Sequence, residues 1–168
     1  RLLNLDIPMD IATMADVPAG NGLGSSGTFT VALLHALHLV KGEEVGCEQL
    51  AAEAARIEIE ILGRPVGKQD HYAAAFGGLN AINFLGNGNV TVRPLGSPDL
   101  LRDDLFPSLM LLYTGVSRDA GAVLAEQRQN ADSLSGDLSN MRDHAHRMEK
   151  LLDGEFHLQS FGDVLHQN

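Results

Sequence analysis

Three groups of residues have types and spacing that could do chemistry. The first is the run Val-Pro-Ala-Gly-Asn-Gly-Leu-Gly-Ser-Ser-Gly-Thr at 17–28, in which Pro18, Gly20, Gly22, Leu23, Gly24, Ser25 and Ser26 lead straight into an apolar helical stretch. Glycines let the backbone approach an anion, the free N–H groups and dipole of a helix start favour negative charge, and adjacent serine hydroxyls can serve phosphate oxygens or a metal. The second is Glu58, an acid on the apolar side of a helix. The third is Asp70, which opens a short alanine-rich helix beside Lys68 and ahead of His71 and Tyr72.

The glycine run admits three readings. A Walker P-loop needs a lysine directly after its last glycine, and no lysine occurs before Lys41. Gly22-Leu23-Gly24-Ser25-Ser26-Gly27 spells a dinucleotide fingerprint, but that pattern has meaning only between a buried parallel strand and a helix. Here Leu5, Ile7, Met9 and Ile11 alternate with polar residues or proline, which predicts a half-solvated strand over about 5–15. The segment after the helix leads into another helix rather than a second strand. The third reading is a plain helix cap, with Ser25 or Ser26 satisfying orphan N–H groups.

The elements that must position these groups follow from the pattern. A helix is expected near 25–40, with Phe29, Val31, Leu34 and Leu37 spreading apolar surface around it so that it should be buried. A second is expected over 47–62, stopped by Gly63 and Pro65. On a wheel of that second helix, Gln49, Glu53, Arg56 and Glu60 form a solvated stripe. Glu58 falls with Ala51, Ala54, Ile61 and Leu62, so its carboxylate should point inward. A buried carboxylate needs a cation or donors; Arg64 and Lys68 are near enough for an internal ion pair, and a magnesium ion shared with the serines is the other option. Asp70 can serve as the N-cap of the helix after it, and can also orient a bound hydroxyl and accept its proton.

Downstream, two strands at 79–85 and 90–95 flank Gly86-Asn87-Gly88-Asn89, a hairpin signal. Residues 96–108 read as a boundary, 109–114 as a buried strand, and helices follow. The helix near 138–152 carries Leu138, Met141, Ala145, Met148 and Leu152 at helical spacing, a packing face. The pattern is α+β, with one domain over 1–97 and a second over 105–168. His35 and His38 lie one helical turn apart without a third ligand nearby, which suits packed, hydrogen-bonded histidines better than a metal site. His144 and His146 point apart on their helix.

Composition sets outer bounds. The 168 residues carry a formal net charge of −10 with no Lys/Arg cluster, which argues against nonspecific nucleic-acid binding. Cys47 is the only cysteine, so no internal disulfide forms and a reducing compartment fits. No apolar run reaches membrane-spanning length, and a cytoplasmic location is the expectation.

Together the loop, Glu58 and the Gly67-Lys68-Gln69-Asp70 segment resemble the GHMP kinase superfamily, the galactokinase, homoserine kinase, mevalonate kinase and phosphomevalonate kinase group. Residues 18–26 look like its second motif, and 67–72 with Ala-Ala-Ala-Phe-Gly-Gly at 73–78 resemble the sugar 1-kinase branch, heptose 7-phosphate kinases above all. Residues 113–118 and 123–127 also look like that branch, while Gly27 and His71 depart from it, standing where alanine and glutamine are frequent. The resemblance implies a two-domain fold, the N-terminal part like ribosomal protein S5 domain 2 and the C-terminal part ferredoxin-like. It also implies ATP wrapped by residues 18–26, Mg²⁺ held by Ser25 or Ser26 with Glu58, and Asp70 as the catalytic aspartate, with Lys68 assisting. Tyr72 and Arg118 would meet a sugar or sugar phosphate, and a homodimer is a possible assembly. Family members are longer, with one motif expected before Arg1 and another after Asn168, so the chain reads as an interior piece that would turn over poorly alone. The alternatives to a heptose phosphate kinase are another kinase of the superfamily (fucokinase, galactokinase, mevalonate kinase), a noncatalytic sugar and nucleotide sensor, and a dinucleotide-dependent oxidoreductase.

Overall fold

A computed structural model describes residues 3, 5–16, 20, 22–113, 115, 124, 130 and 134–167. The chain forms two compact units, Arg1–Gly77 with Gly115–Ala125, and Gly78–Thr114 with Glu126–Asn168.

The first unit is built from three helices: α1 over Ser25–Lys41, α2 over Cys47–Arg56 and α3 over Gln69–Phe76, each packed against the other two. Val31 and Leu34 of α1 meet Leu50 and Ala54 of α2 in the core, with Val45, Ile57, Ala74 and Ala75 around them. Only one side of α1 is buried. Phe29, Leu39 and Val40 are exposed, so the full burial expected of this helix is not met among the described residues. Gly42 closes α1 in the left-handed conformation, and its N–H returns to the His38 and Leu39 carbonyls.

After Arg56 the helix continues as a π turn over Ile57–Ile61, with Leu62 N–H donating to the Ile57 carbonyl at 2.9 Å. This widening carries a consequence for the wheel. Ala51, Ala54 and Glu58 are buried as expected, but Ile61 and Leu62 are exposed, because each residue of a π turn advances less than the 100° of an α-helix and the last turn swings outward.

The strand expected over 5–15 is absent. Residues 5–16 form no regular structure and Ile7, Met9, Ile11 and Met14 are exposed; a strand needs a partner for its N–H and C=O groups, and the described residues of this unit supply none. With no strand before the loop among the described residues and α2 directly after α1, the described residues do not form the βαβ setting of a dinucleotide fold.

The second unit begins with the hairpin. Strands β1 (Asn80–Phe84) and β2 (Val90–Pro94) pair antiparallel, from Asn80 opposite Pro94 to Phe84 opposite Val90. Leu85 N–H donates to the Asn89 carbonyl across the connection, and Gly88 takes a φ of 88° that suits glycine. Helices α4 (Ser135–Asp153) and α5 (Leu158–His166) complete the unit, and Leu95, Leu105, Leu152 and Phe161 form its core. Arg93 of β2 is tied to Glu149 and Asp153 of α4.

Three sequence expectations change here. The boundary drawn at 96–108 lies inside this unit: those residues form a π turn over Leu100–Leu105 and a 3-10 turn over Phe106–Ser108, and Leu105 is fully buried. Residues 109–113, expected as a buried strand, have no regular structure and stand exposed, Met110 at 83%. On α4 only the C-terminal part of the apolar stripe packs, through Met148 and Leu152, while Leu138, Met141 and Ala145 are exposed.

Of the paired histidines, His35 is exposed and His38 is buried between two acids, with Nε2 2.8 Å from Glu53 and Nδ1 2.9 Å from Glu43. The hydrogen bond to Glu53, and then that to Glu43, raise the His38 pKa above its ordinary 6.5 against the lowering effect of burial. A raised folded pKa means the contribution to stability is complete below about pH 6.5 and disappears as pH rises through the folded value. Thermal melts from pH 5.5 to 8.5 should therefore show a decline that His38→Gln flattens; an unchanged slope in the variant would remove His38 as its source.

Candidate active site

The glycine run reaches α1 through left-handed residues, Gly20, Gly22 and Gly24, with φ between 68° and 80°. Gly24 is the N-cap of α1 and makes no side-chain cap; no acidic residue lies in the first turn. The helix-cap role is thus not taken by either serine. The Ser26 hydroxyl instead donates to Glu58 Oε1 at 2.7 Å, and Thr30, one turn on, donates to the same oxygen at 2.6 Å.

Glu58 is 1% exposed. Its placement follows from the helical spacing of Ala51, Ala54 and Glu58, which turns the carboxylate toward α1. Burial alone would push its pKa up, but the Thr30 and Ser26 hydroxyls, with His71 and Arg64, more than offset this and hold it below the usual carboxylate range. Glu58 is therefore a charged acid at neutral pH. Arg64 supplies the nearest guanidinium: Nη1 donates to Ser26 Oγ at 2.8 Å and lies 3.8 Å from Glu58 Oε2. His71 is equally buried, with Nε2 3.7 Å from Glu58 Oε2, and neither ring nitrogen has a hydrogen-bond partner.

Asp70 lies against the start of α1. A Cβ placed on Gly24 would sit 3.1 Å from Asp70 Cγ and 3.3 Å from Oδ2, and one on Gly27 would sit 3.0 Å from Asp70 Cβ and 3.3 Å from the His71 backbone nitrogen. A side chain at either position would press on the acid or the start of α3 by a few tenths of an ångström, and at Gly24 the φ of 68° favours glycine in addition. Asp70 is not a cap. The N-cap of α3 is Lys68, which makes no side-chain cap, and Asp70 is an exposed residue of the first turn.

The structure thus gathers the loop end, Ser26, Glu58 and Asp70 at one place in the first unit. Ser25 is half-buried beside Ser26, and Leu23 and Lys68 are exposed. Tyr72 differs from expectation: its ring is buried at 6% exposure and stacks on Phe76 with centroids 6.3 Å apart, so it faces the helix packing rather than solvent. Pro18 and Arg118 lie outside the described residues. Sequence reasoning gave no role to Thr30, and treated Arg64 only as a possible ion-pair partner. The signal for Thr30 was its position four residues after Ser26, one helical turn along the same face.

Among the described residues no group of three or more His, Cys, Asp or Glu side chains could hold a metal ion. One buried carboxylate with a serine hydroxyl beside it is nonetheless the kind of partial oxygen set that suits Mg²⁺, which keeps waters and takes its other ligands from phosphates.

Residues 1–78 match the family described as GHMP kinases N terminal domain, and the chain carries that domain of the GHMP kinase superfamily. It is 36% identical over 114 residues to a D-glycero-alpha-D-manno-heptose 7-phosphate kinase of Campylobacter jejuni, covering 68% of this chain and 34% of that protein. It is 40% identical over 72 residues to a mevalonate kinase of Methanothermobacter thermautotrophicus, covering 43% and 23%. The crystal structure of a D-glycero-D-manno-heptose 1-phosphate kinase from Bacteriodes thetaiotaomicron superposes with a TM-score of 0.56 at 31% identity, covering 91% of this chain and 46% of that one. The chain thus spans about a third or less of these curated relatives' length. No helix among the described residues is long and apolar enough to cross a membrane.

Proposed function

We propose that this chain belongs to an ATP-dependent sugar kinase that transfers the γ-phosphoryl group to a hydroxyl of a heptose 7-phosphate or a related sugar. The observation that carries this reading is the close approach of the Asp70 carboxyl to Gly24, at the same helix start where Ser26 binds the buried Glu58. The backbone N–H groups of Gly20 to Ser26 cradle the phosphates. Asp70 orients the acceptor hydroxyl and takes its proton as the new O–P bond forms and ADP leaves. Glu58 with Ser26, or Ser25, would hold Mg²⁺, which when bound neutralises phosphate charge.

Lys68 draws the sugar phosphate or the moving phosphoryl group, as Arg118 would from elsewhere in the chain. Tyr72 is assigned to packing. The N-terminal part is of the ribosomal protein S5 domain 2 type and the C-terminal part ferredoxin-like; the enzyme is cytoplasmic and forms a homodimer.

The test is a phosphorylation screen of the complete protein with Mg-ATP against heptose 7-phosphate, fucose, galactose and mevalonate, beside melting temperatures with Mg-ATP and with NAD. The proposal expects Mg-ATP to raise the melting temperature, by about 2.7 kcal/mol of stabilisation at a hundred times Kd, and the heptose phosphate to be the best acceptor. Stabilisation by NAD alone, or binding of ATP and sugar without any product, would overturn it.

A further inference from the structure

We infer that Arg64 is the resident counter-ion of the Glu58–Ser26 pair, holding the place of a divalent cation until a metal–nucleotide complex displaces it. This rests on the reading of that pair as the metal site.

Three observations carry the inference. Glu58 is a carboxylate removed from water, and a carboxylate in that position requires donors or a compensating cation. Its two oxygens are used unequally: Oε1 accepts from both Ser26 and Thr30, whereas Oε2 faces Arg64 Nη1 at 3.8 Å and His71 Nε2 at 3.7 Å. Arg64 also donates to the Ser26 hydroxyl oxygen at 2.8 Å, the atom that would otherwise face a metal. One guanidinium therefore addresses both groups that a cation would bind.

The surroundings allow the guanidinium to leave. Arg64 follows Gly63, whose φ of 63° ends the helix, and its side chain is 52% exposed, so its outer face is already solvated. Its backbone stays anchored, because its N–H donates to the Glu58 carbonyl at 2.9 Å and its carbonyl accepts from Val66 at 2.9 Å. The side chain can swing while the chain holds still. Two positive groups cannot share the oxygens at this separation without strong repulsion, so a lone divalent ion competes poorly with Arg64. A metal that arrives with phosphates brings negative charge for the freed guanidinium to meet, and arginine binds phosphate well. Arg64 thereby makes metal binding depend on nucleotide.

The experiment measures Mn²⁺ binding to the full chain by electron paramagnetic resonance, without nucleotide and with ATP, in the parent, Arg64→Gln, Arg64→Lys, Glu58→Gln and the Arg64→Gln/Glu58→Gln double variant. Without nucleotide, Arg64→Gln should tighten Mn²⁺ by about tenfold, Arg64→Lys should stay closer to the parent, and the double variant should lose the gain. Circular dichroism melts confirm that each variant folds. If Arg64→Gln leaves nucleotide-free Mn²⁺ affinity unchanged or weaker while Glu58→Gln lowers Mn²⁺ binding with ATP, the counter-ion role is wrong and the metal site stands. If neither substitution alters Mn²⁺ binding, both are wrong.

Discussion

In the complete enzyme, Asp70→Asn should lower kcat by about 10²- to 10⁴-fold while leaving ATP affinity nearly intact. Asparagine matches aspartate in size, so the contacts that Asp70 makes with Gly24 and Gly27 survive, and with them the approach of α3 to the start of α1. What is lost is the negative charge and the capacity to take a proton. The acid is exposed at the mouth of the loop rather than sealed in the core, so removing its charge leaves no buried group unpaired. Turnover at saturating ATP, read beside nucleotide affinity from calorimetry, separates the two effects. Equal turnover in variant and parent would take Asp70 out of the chemistry.

If Glu58 holds the metal as proposed, Glu58→Gln should cost at least about 10²-fold in metal-dependent turnover, because the divalent ion would lose its one carboxylate while Ser26 and Thr30 can still hydrogen-bond the amide. A neutral side chain also frees Arg64 from its charge partner. The loss should shrink as Mg²⁺ is raised, and a titration of turnover against Mg²⁺ at fixed ATP would show it. A variant with parental Mg²⁺ dependence would mean that the buried acid serves the fold alone.

The sequence patterns behind these residues differ in how much they reveal. Glu58 was legible because a charged residue in phase with Ala51 and Ala54 has only one place to go, and three glycines followed by two serines describe a loop with few other uses. The approach of Asp70 to Gly27 was not legible. It depends on how closely two helices pack, which no local pattern encodes. The end of the second helix and the hairpin followed from Gly63, Pro65 and the Gly86–Asn89 connection, all local signals. The expected strands at 5–15 and 109–114 were read from alternation and apolarity alone. A strand is a property of a pair, and among the described residues neither has its partner. The π turn escaped for a related reason: a wheel assumes constant rotation, so the exposure of Ile61 and Leu62 became visible only in three dimensions.

The uncovered run of Leu109, Met110, Leu111, Leu112 and Tyr113 bears on how the chain behaves in a tube. An exposed apolar ribbon favours association between copies, and a net charge of −10 opposes it by repulsion. Because added electrolyte shortens the reach of that repulsion to about 8 Å at physiological ionic strength, dilute low-salt buffer above the isoelectric point near 5.0 is the condition in which it stays dispersed.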